Sequence, residues 1–543
     1  MAEWHLATAY EIIADTVGDQ PALICDNVIR TWTEYDDRAS RIAGILTEHG
    51  VAAGAKVGIY LHNCNEYQEV HHGINKLRGC PVNINYRYKE EELVYLLNNA
   101  DAEAVVYQST YAERIETIRG QVDNLKCLIQ LADDSDTPLI PGAIDFEEAV
   151  STARPMARIE RKADDLYMLY TGGTTGMPKG VMYDNGMQCM GLARFSQFHG
   201  VEVSETMEDL PDNIIRLQTD VGLPRGLVCC PLMHGTGMWV GSIATQLAGG
   251  AAITVKHLGL KPDELWMEAQ QHRATMLTIV GDAFARPMLG SLNEAHDRGK
   301  PYDISSIKLI ISSGVMWSQD VKEGLLKHND MTLIDAMGST EGSMGSSIST
   351  RESAATTAKF EPDENMKVFN ENNKPVEPGS GEIGMIATQG SMIGYYKDPK
   401  KTAQTVREID GERYIFPGDF ATIEADGGVT LLGRGSMCIN TAGEKVFPEE
   451  VEEVIKKHSG TEDCLVVGVP DSRFGERVVS VVSRSAPYTV SDASLLDHCH
   501  EHLAGYKVPK NVLFVDQVQR APNGKADYKW AKSTALHMLE ISE

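Results

Sequence analysis

The chain has 543 residues, of which 42% are hydrophobic and 23% charged, a globular composition in a chain too long for a single compact core. Its formal net charge of −27 argues against nucleic acid as a partner, because the phosphates of DNA or RNA would be repelled. Any nucleotide site must therefore be locally cationic against an acidic background.

Cysteine usage and the N-terminal segment indicate where such a chain resides. The ten cysteines form no C-x-x-C pair, so neither a zinc site nor a thioredoxin-like motif is suggested. We expect reduced, mostly buried thiols in a cytoplasmic protein. The first residues have helical periodicity without the apolar core of a secretory signal, and no uninterrupted apolar run reaches spanning length. The sequence therefore predicts a soluble protein with no transmembrane segment.

The first part of the chain alternates strand-like and helix-like segments, which favours parallel α/β sheets. An amphipathic helix is predicted over 90–100. Residues 201–224 are polar, contain two prolines and predict a surface loop. Short apolar runs predict buried strands at 56–61, 104–107, 166–169, 226–230, 252–255, 276–280 and 307–311.

The pattern of the later part of the chain predicts two smaller structural units. Turn pairs between short strands over 362–386 predict a β-rich subdomain. Pro448 and the acids after it are typical of a helix start, and Ser491 is a suitable N-cap for a helix reaching 503. Strands are expected at 464–469 and 478–482. We predict an N-terminal domain over 1–433, a hinge over 434–439 and a small α+β domain over 440–543.

Residues 170–180, YTGGTTGMPKG, have the composition of a loop that binds polyphosphate. Glycines let backbone N–H groups approach an anion closely, threonine hydroxyls add donors, and a lysine neutralises phosphate charge. The segment is not a Walker A loop, because Pro178 precedes the lysine and Gly180 follows it. The residues assigned to the phosphates are Thr171, Gly172, Gly173, Thr174, Thr175, Gly176 and Lys179.

This loop resembles the phosphate-binding motif of the adenylate-forming superfamily, which includes acyl-CoA synthetases, luciferases and peptide-synthetase adenylation domains. Residues 336–341, AMGSTE, resemble a second motif of that superfamily. The resemblance implies that Thr340 contacts the α-phosphate of ATP and that Glu341 holds Mg²⁺ through its carboxylate. Met337 stands where the family usually has an aromatic side chain on adenine. Gly338, Ser339 and Gly314 complete the ATP pocket implied by the resemblance.

Three further residues match the family's motif series in order. Asp419, after the strand-like 414–416, resembles the carboxylate that accepts hydrogen bonds from the ribose hydroxyls. Arg434 resembles the arginine that reaches the ribose or phosphate. Lys525 follows a Pro-Asn-Gly turn and resembles the mobile lysine of the C-terminal domain, which stabilises the charge that develops at the α-phosphate.

The resemblance spans nearly the whole chain and implies both a fold and a reaction. The implied fold is a large N-terminal domain of two α/β subdomains plus a β-rich subdomain, followed by a small mobile α+β domain. A carboxylate would attack ATP, pyrophosphate would leave, and coenzyme A would then displace AMP from the acyl-adenylate. Gly443 and Lys445 lie in the segment that lines the coenzyme A tunnel in the family. Gly172, Ser436 and Ala442 depart from the usual residues of the motifs.

The segment 231–239 resembles the family's acyl-pocket motif and contributes His234, Met238 and Trp239 to the predicted substrate site. Two interpretations of His234 stay open with equal weight: it could be a structural histidine, or it could gate the acyl pocket. Phe284 is expected at the pocket rim. The absence of an aspartate for a substrate ammonium, and of a carrier domain, disfavours peptide-synthetase chemistry. The loop and the segment 443–453 look most like fatty-acid and steroid-side-chain CoA ligases, so we expect an apolar, medium- to long-chain or bulky acid.

Two alternatives stay open at the level of sequence. The acyl group could pass to a carrier protein or to oxygenation instead of coenzyme A, or the chain could be a non-catalytic nucleotide-binding protein. The joint presence of Lys179, Glu341 and Lys525 argues against the second alternative. The sequence itself does not determine the oligomeric state, and the resemblance offers a homodimer as the candidate assembly, since related enzymes are often dimers.

Overall fold

The computed structural model describes residues 3–171, 177–199, 204–256, 259–353, 356–441, 444–471, 475–485, 490–521 and 524–541. They belong to two compact units. The first unit comprises Met1–Gly342, Ile348–Ala355 and Gly390–Gln404, and the second comprises Ser343–Ser347, Thr356–Gln389 and Thr405–Glu543. Within the described residues, no helix combines the length and the apolar character needed to cross a membrane.

In one sheet, the strands of the first unit from Pro21–Cys25 to Thr332–Ser339 run parallel to one another, Val28–Thr31 borders them antiparallel on one side, and Gly342–Ser349 is the next strand after Thr332–Ser339 on the other. Its inner strands are short, apolar and almost fully buried, as expected for a sheet covered by helices on both faces. In spatial order the strands are Val28–Thr31, Pro21–Cys25, Ala251–Thr254, Arg225–Val228, Met276–Ile279, Leu309–Ser313 and Thr332–Ser339.

A second sheet of this unit is entirely parallel, and a third is antiparallel with three strands. The second sheet packs against helices Glu90–Asn99 and Ala112–Ile118 in one apolar core. Its order is Cys80–Asn83, Lys56–Tyr60, Ala102–Gln108, Cys127–Leu131 and Ile144–Asp145, and the antiparallel sheet has the order Met392–Tyr395, Lys179–Asp184 and Leu166–Thr171.

Side-chain caps mark the start of some helices of the first unit. Thr31 and Glu34 form a capping box at one of them, with Glu34 Oε2 accepting from the Thr31 N–H at 2.8 Å. The helices are Leu6–Val17, Trp32–Glu48, Asn65–Lys76, Glu90–Asn99, Ala112–Ile118, Phe146–Thr152, Asn185–Ala193, Leu210–Asp220, the π-helix Thr236–Ile243, Ala244–Leu247, Pro262–Gln271, Gly281–Asp297 and Gln319–His328. Pro399–Thr405 is a further helix whose last residue belongs to the second unit.

The second unit contains a β-rich part and a C-terminal α+β part. The β-rich strands are Lys359–Pro362, Met366–Phe369, Gly384–Thr388, Val406–Ile409, Glu412–Ile415, Asp419–Ile423 and Val429–Arg434. The C-terminal sheet has the order Glu444–Val446, Ile439–Thr441, Gly475–Arg484 and Thr461–Asp471, with Asn511–Val515 also paired to Gly475–Arg484. Its helices are Pro448–Lys456, Asp492–His502 and Tyr528–Met538. Alternate residues of its long strands enter two separate apolar cores.

The predicted fold class is confirmed, and each predicted strand overlaps a strand of the structure. The surface loop predicted over 201–224 is wrong, because Leu210–Asp220 is a helix. Pro211 stands in its first turn, where proline is tolerated, and Leu210, Ile214 and Leu217 are buried at helical spacing. All ten cysteines are free, and eight are buried. The division into domains with a hinge at 434–439 concerns motion and stays a prediction.

Candidate active site

The glycine-rich motif joins two paired strands of the antiparallel sheet. Leu166–Thr171 runs antiparallel to Lys179–Asp184, with Thr171 opposite Lys179. Five of the predicted phosphate-binding residues, Gly172, Gly173, Thr174, Thr175 and Gly176, lie outside the described residues. A side chain at Gly180 would place its Cβ 2.8 Å from the Tyr170 ring, so the buried ring would have to move to admit a larger residue there.

The Lys179 ammonium is held by a carboxylate that the sequence analysis missed. Its Nζ forms an ion pair with Asp398, and the hydrogen bond from Lys179 is the main cause that lowers the pKa of Asp398 below its ordinary value. Asp398 also accepts from the Lys401 N–H at 2.9 Å, in the first turn of the helix that follows. Both members of the pair are partly exposed. A phosphate that binds Lys179 must therefore compete with Asp398.

Two tyrosines fix the Thr340–Glu341 segment. Tyr395 Oη donates to Glu341 Oε1 at 2.6 Å, and the buried Tyr183 Oη donates to the Thr340 carbonyl. The two tyrosines lie on the paired strands Met392–Tyr395 and Lys179–Asp184. Burial, and then the nearby Glu341 carboxylate, raise the pKa of Tyr183 well above its ordinary value, so its phenol remains a donor.

Glu341 has the donor chemistry of a Mg²⁺ ligand. The residue is 8% exposed, and Tyr395 orients one of its carboxylate oxygens. Carboxylate oxygen is the ligand type that Mg²⁺ prefers, and the second oxygen of Glu341 could supply it. The residues present therefore fit the ion implied by the motif.

Two asparagines hold the predicted acyl segment. Asn63 Nδ2 donates to the Cys230 carbonyl at 3.1 Å, and its Oδ1 accepts from the Leu232 N–H at 2.8 Å. Asn83 Nδ2 donates to the carbonyls of Met233 at 2.7 Å and Tyr170 at 2.8 Å. Asn83 Oδ1 accepts from the Tyr170 N–H at 2.7 Å. Asn83 thus ties the strand that leads into the phosphate motif to the acyl segment.

Both asparagines lie at the carboxyl ends of neighbouring parallel strands. Asn83 ends the strand Cys80–Asn83, and Asn63 lies three residues beyond the strand Lys56–Tyr60. Ligands of α/β sheets commonly bind at this edge. The sequence gives no local signal for these contacts, since Asn83 is separated from its two partners by 87 and 150 residues.

Predicted acyl-site residues are placed in two helices. Trp239, in Thr236–Ile243, donates through Nε1 to Tyr167 Oη at 3.0 Å, and its ring packs edge-on against Tyr183 with centroids 5.4 Å apart. Met238, in the same helix, is buried, and His234 is half-buried with its carbonyl accepting from the Met238 N–H. Phe284 is buried in Gly281–Asp297. The structure brings Trp239 to the tyrosine that holds Thr340.

The predicted adenine side consists of two adjacent parallel strands. Met337, Gly338 and Ser339 end the strand Thr332–Ser339, where Met337 is buried and Ser339 Oγ accepts from the Glu341 N–H at 3.2 Å. Gly314 follows the neighbouring strand with a φ of 93°, which favours glycine.

A buried ion pair joins this strand to the helix Gln319–His328. Lys322 Nζ lies 3.0 Å from Asp335 Oδ2, and both side chains are at most 5% exposed. Burial raises the pKa of Asp335 to about 6, although Lys322 opposes the shift. Removing either partner would leave a buried charge alone, which is strongly destabilising.

The predicted ribose residues are paired in the second unit. Asp419 and Arg434 face each other on antiparallel strands, with Arg434 Nε 3.2 Å from Asp419 Oδ1. Asp419 Oδ2 is buried and has no hydrogen-bond partner among the described residues. An orphaned buried acceptor is costly, and a ribose hydroxyl would satisfy it.

The remaining predicted residues also lie in the second unit. The Lys525 side chain is exposed, and its carbonyl accepts from the Ala521 N–H at 2.9 Å. Gly443 lies outside the described residues, and Lys445 is described only through its backbone, which pairs with Asn440. Lys179, Thr340 and Glu341 belong to the first unit.

Comparison with known proteins places these motifs in a family. The model of the AMP-binding enzyme family matches residues 11–396, and that of the AMP-binding enzyme C-terminal domain matches residues 450–525. This chain belongs to the AMP-binding enzyme family. The matched ranges contain Lys179, Thr340, Glu341 and Lys525.

Full-length relatives are CoA ligases by name. A 3-oxocholest-4-en-26-oate–CoA ligase of Rhodococcus rhodochrous is 39% identical over 97% of this chain and 95% of its own. A medium/long-chain-fatty-acid–CoA/3-oxocholest-4-en-26-oate–CoA ligase of Mycolicibacterium smegmatis is 38% identical over 97% and 96%. The anthranilate CoA ligase AuaEII, solved with anthranoyl-AMP, shares the fold with a TM-score of 0.83 at 21% identity, covering 100% of this chain and 99% of that one. The resemblance predicted from the sequence is confirmed.

Proposed function

We propose that this member of the family is an AMP-forming acid:CoA ligase that activates an apolar carboxylic acid. The observation that carries the proposal is the arrangement at Glu341, where a buried carboxylate next to Thr340 is oriented by Tyr395 in the middle of the family's motif series. Identity of 39% to a CoA ligase along almost the whole chain supports the same activity.

The reaction has two halves and no covalent enzyme nucleophile. In the first half, a carboxylate oxygen of the acid attacks the α-phosphorus of ATP, and pyrophosphate leaves to give an acyl-adenylate. In the second half, the thiol of coenzyme A loses its proton and attacks the acyl carbon, and AMP leaves. The products are a thioester, AMP and pyrophosphate.

The chain's own residues mainly position substrates and stabilise charge. Lys179 and Thr171 bind the β- and γ-phosphates together with Gly172, Gly173, Thr174, Thr175 and Gly176. Thr340 donates to the α-phosphate, and Glu341 holds Mg²⁺, which neutralises phosphate charge. Lys525 stabilises the charge at the α-phosphorus in the first half-reaction, a contribution of about 3–4 kcal/mol for a well-placed donor.

The nucleoside and coenzyme A sites complete the assignment. Asp419 accepts from the ribose hydroxyls while Arg434 holds its other oxygen, and Met337, Gly338, Ser339 and Gly314 border the adenine. Gly443 and Lys445 line the coenzyme A path after the domain over 440–543 rotates about 434–439. Asp419 Oδ2, which has no hydrogen-bond partner within the part of the chain that the structure describes, supports the ribose role.

The acyl site is assigned to His234, Met238, Trp239 and Phe284. Its residues are apolar or aromatic apart from His234, and the relatives named above act on fatty and steroid side-chain acids. We therefore assign a medium- to long-chain fatty acid or a bulky steroid-type acid as substrate. We also propose that the protein is located in the cytoplasm and forms a homodimer.

A panel of carboxylic acids tests the proposal. The full-length protein is incubated with ATP, Mg²⁺, coenzyme A and acids that range from acetate to a long-chain fatty acid and a steroid side-chain acid. We expect AMP, pyrophosphate and a thioester with the apolar acids and little product with acetate. Formation of ADP would refute the adenylation, and CoA-independent loss of the adenylate would favour another acceptor.

A further inference from the structure

A cluster of metal-binding side chains that takes no part in the proposed reaction lies in the C-terminal part of the second unit. His498, Glu501 and His502 occupy the last turn of the helix Asp492–His502. Each of the three side chains offers one ligand atom, and these three atoms lie within 4.8 Å of one another. The two imidazole rings are 4.5 Å apart between centroids. Spacing of three and four residues on a helix brings all three to one face.

Hydrogen bonds to backbone carbonyls prepare both rings as ligands. His498 Nε2 lies 3.0 Å from the Val454 carbonyl, and His502 Nδ1 lies 2.9 Å from the His498 carbonyl. A carbonyl only accepts, so each of these nitrogens carries the proton. His498 Nδ1 and His502 Nε2 therefore keep their lone pairs. Metal-binding histidines typically donate their other ring N–H to a carbonyl or carboxylate in this way.

A third histidine nearby is engaged differently. The ring of His458 is 5.4 Å from that of His498. Its Nδ1 accepts from the Gly460 N–H at 3.1 Å, and its Nε2 lies 3.2 Å from Ser494 Oγ. Both nitrogens of His458 thus have partners, which leaves two imidazoles and one carboxylate as the donor set.

We propose that His498, Glu501 and His502 form a surface site for a divalent transition-metal ion that prefers imidazole, with Zn²⁺ as the representative ion. Ligand atoms around a tetrahedral zinc ion are roughly 3.3 Å apart, since each Zn–N or Zn–O bond is about 2.0–2.2 Å. The exposed side chain of Glu501 can move toward the two rings by a change of rotamer, while their hydrogen bonds hold the rings in place. Two neutral imidazoles and a carboxylate suit Zn²⁺, Cu²⁺ or Ni²⁺ far better than Mg²⁺. The fourth position is open to water or to a donor from a second molecule.

The matched control lies on the same helix. His500 is exposed and two residues from both His498 and His502, so it faces the opposite side of the helix. Substitution of His500 removes one histidine from the same helix but leaves the three proposed ligands in place. His502→Ala is the primary test because it leaves the bond from His498 to Val454 in place.

The experiment titrates Zn²⁺ into the untagged full-length protein in the absence of nucleotide. Calorimetry measures the affinity of each binding event. We expect His502→Ala and Glu501→Gln each to weaken one binding event at least about tenfold, while His500→Gln binds as the wild type does. Unchanged melting temperatures without metal verify that each variant is folded. Equal zinc binding by His502→Ala and the wild type, or equal losses in His502→Ala and His500→Gln, would overturn the proposal. Both outcomes are independent of ligase activity.

Discussion

Asn83 offers a sharp test of how the candidate site is assembled. Its amide pairs with both the N–H and the carbonyl of Tyr170, as a neighbouring strand would, and also donates to Met233. Asn83→Ala removes all three hydrogen bonds at a residue that is 9% exposed. A buried polar group left without a partner costs about 1–3 kcal/mol, so we expect a clearly lowered melting temperature.

The loss should also appear in catalysis, because Tyr170 leads into the phosphate motif and Met233 precedes His234. We expect kcat/KM for both ATP and the acid to fall about 10- to 100-fold, which corresponds to about 1.4–2.8 kcal/mol. The assay is pyrophosphate release at varied ATP and varied acid. Asn83→Asp keeps the acceptor for the Tyr170 N–H but loses both N–H donors and sets a carboxylate against two carbonyls, so it should recover neither stability nor activity.

A buried asparagine elsewhere in the first unit provides the control. Asn185 accepts from the Leu6 N–H at 2.9 Å and donates to Asn75 Oδ1 at 2.7 Å. Asn185→Ala should lower the melting temperature comparably while folded protein keeps its kcat/KM. The reasoning is refuted if Asn83→Ala retains wild-type kcat/KM. It is also refuted if Asn185→Ala loses as much kcat/KM as Asn83→Ala for the same loss of melting temperature.

Three other substitutions test contacts that flank the phosphates and the ribose. Tyr395→Phe removes the hydrogen bond that orients Glu341, worth about 1.5–3 kcal/mol for a charged acceptor, so kcat should fall at least about tenfold and more Mg²⁺ should be needed to reach it. Asp398→Asn removes the anion that competes for Lys179, and an exposed pair of this kind is worth about 0.2–1 kcal/mol, so the KM for ATP should fall by up to about fivefold. Glu449→Gln should stabilise the protein increasingly as pH rises from 5 to 8. Burial, then neighbouring carboxylates, raise the pKa of Glu449 to about 8, so the folded state keeps a proton that the unfolded chain loses near its ordinary value, and stability falls with pH across that window.

Each of these expectations has an outcome that contradicts it. Tyr414→Phe, which removes a bond to Glu412 within the second unit, should leave the Mg²⁺ dependence unchanged, and an equal effect of the two tyrosines would count against Tyr395. A higher KM for ATP in Asp398→Asn would mean that the carboxylate positions Lys179 instead of competing for it. A difference in melting temperature between Glu449→Gln and the wild type that stays constant from pH 5 to 8 would contradict the predicted pH dependence.

The sequence predicts most of what depends on local pattern. The apolar run at 276–280 predicts the buried strand Met276–Ile279, and Ser491 caps the helix that the later pattern indicates. Thr340 and Glu341 directly follow the strand Thr332–Ser339, and their roles stay predictions. The helix Leu210–Asp220 is not predicted, because the polar residues and the two prolines of the segment 201–224 outweigh the apolar spacing within it.

What the sequence does not predict depends on distant contacts. Tyr395 is 54 residues from Glu341, and Asp398 is 219 residues from Lys179. No local propensity encodes such pairs, since they arise when strands far apart in the chain become neighbours. Asn83 lies in a segment that fits the family pattern, but its hydrogen bonds appear only once the second sheet and the antiparallel sheet have formed.

The acyl-adenylate itself tests the central claim most directly. The protein is incubated with ATP, Mg²⁺ and a long-chain acid without coenzyme A, quenched, and analysed by mass spectrometry, and a parallel sample is chased with coenzyme A before quenching. We predict that acyl-adenylate and pyrophosphate accumulate and that the chase converts the adenylate to thioester and AMP. Lys525→Ala should lose the first step but still convert a supplied acyl-adenylate. An acyl-phosphate with ADP, or an adenylate that coenzyme A leaves unchanged, would contradict the account.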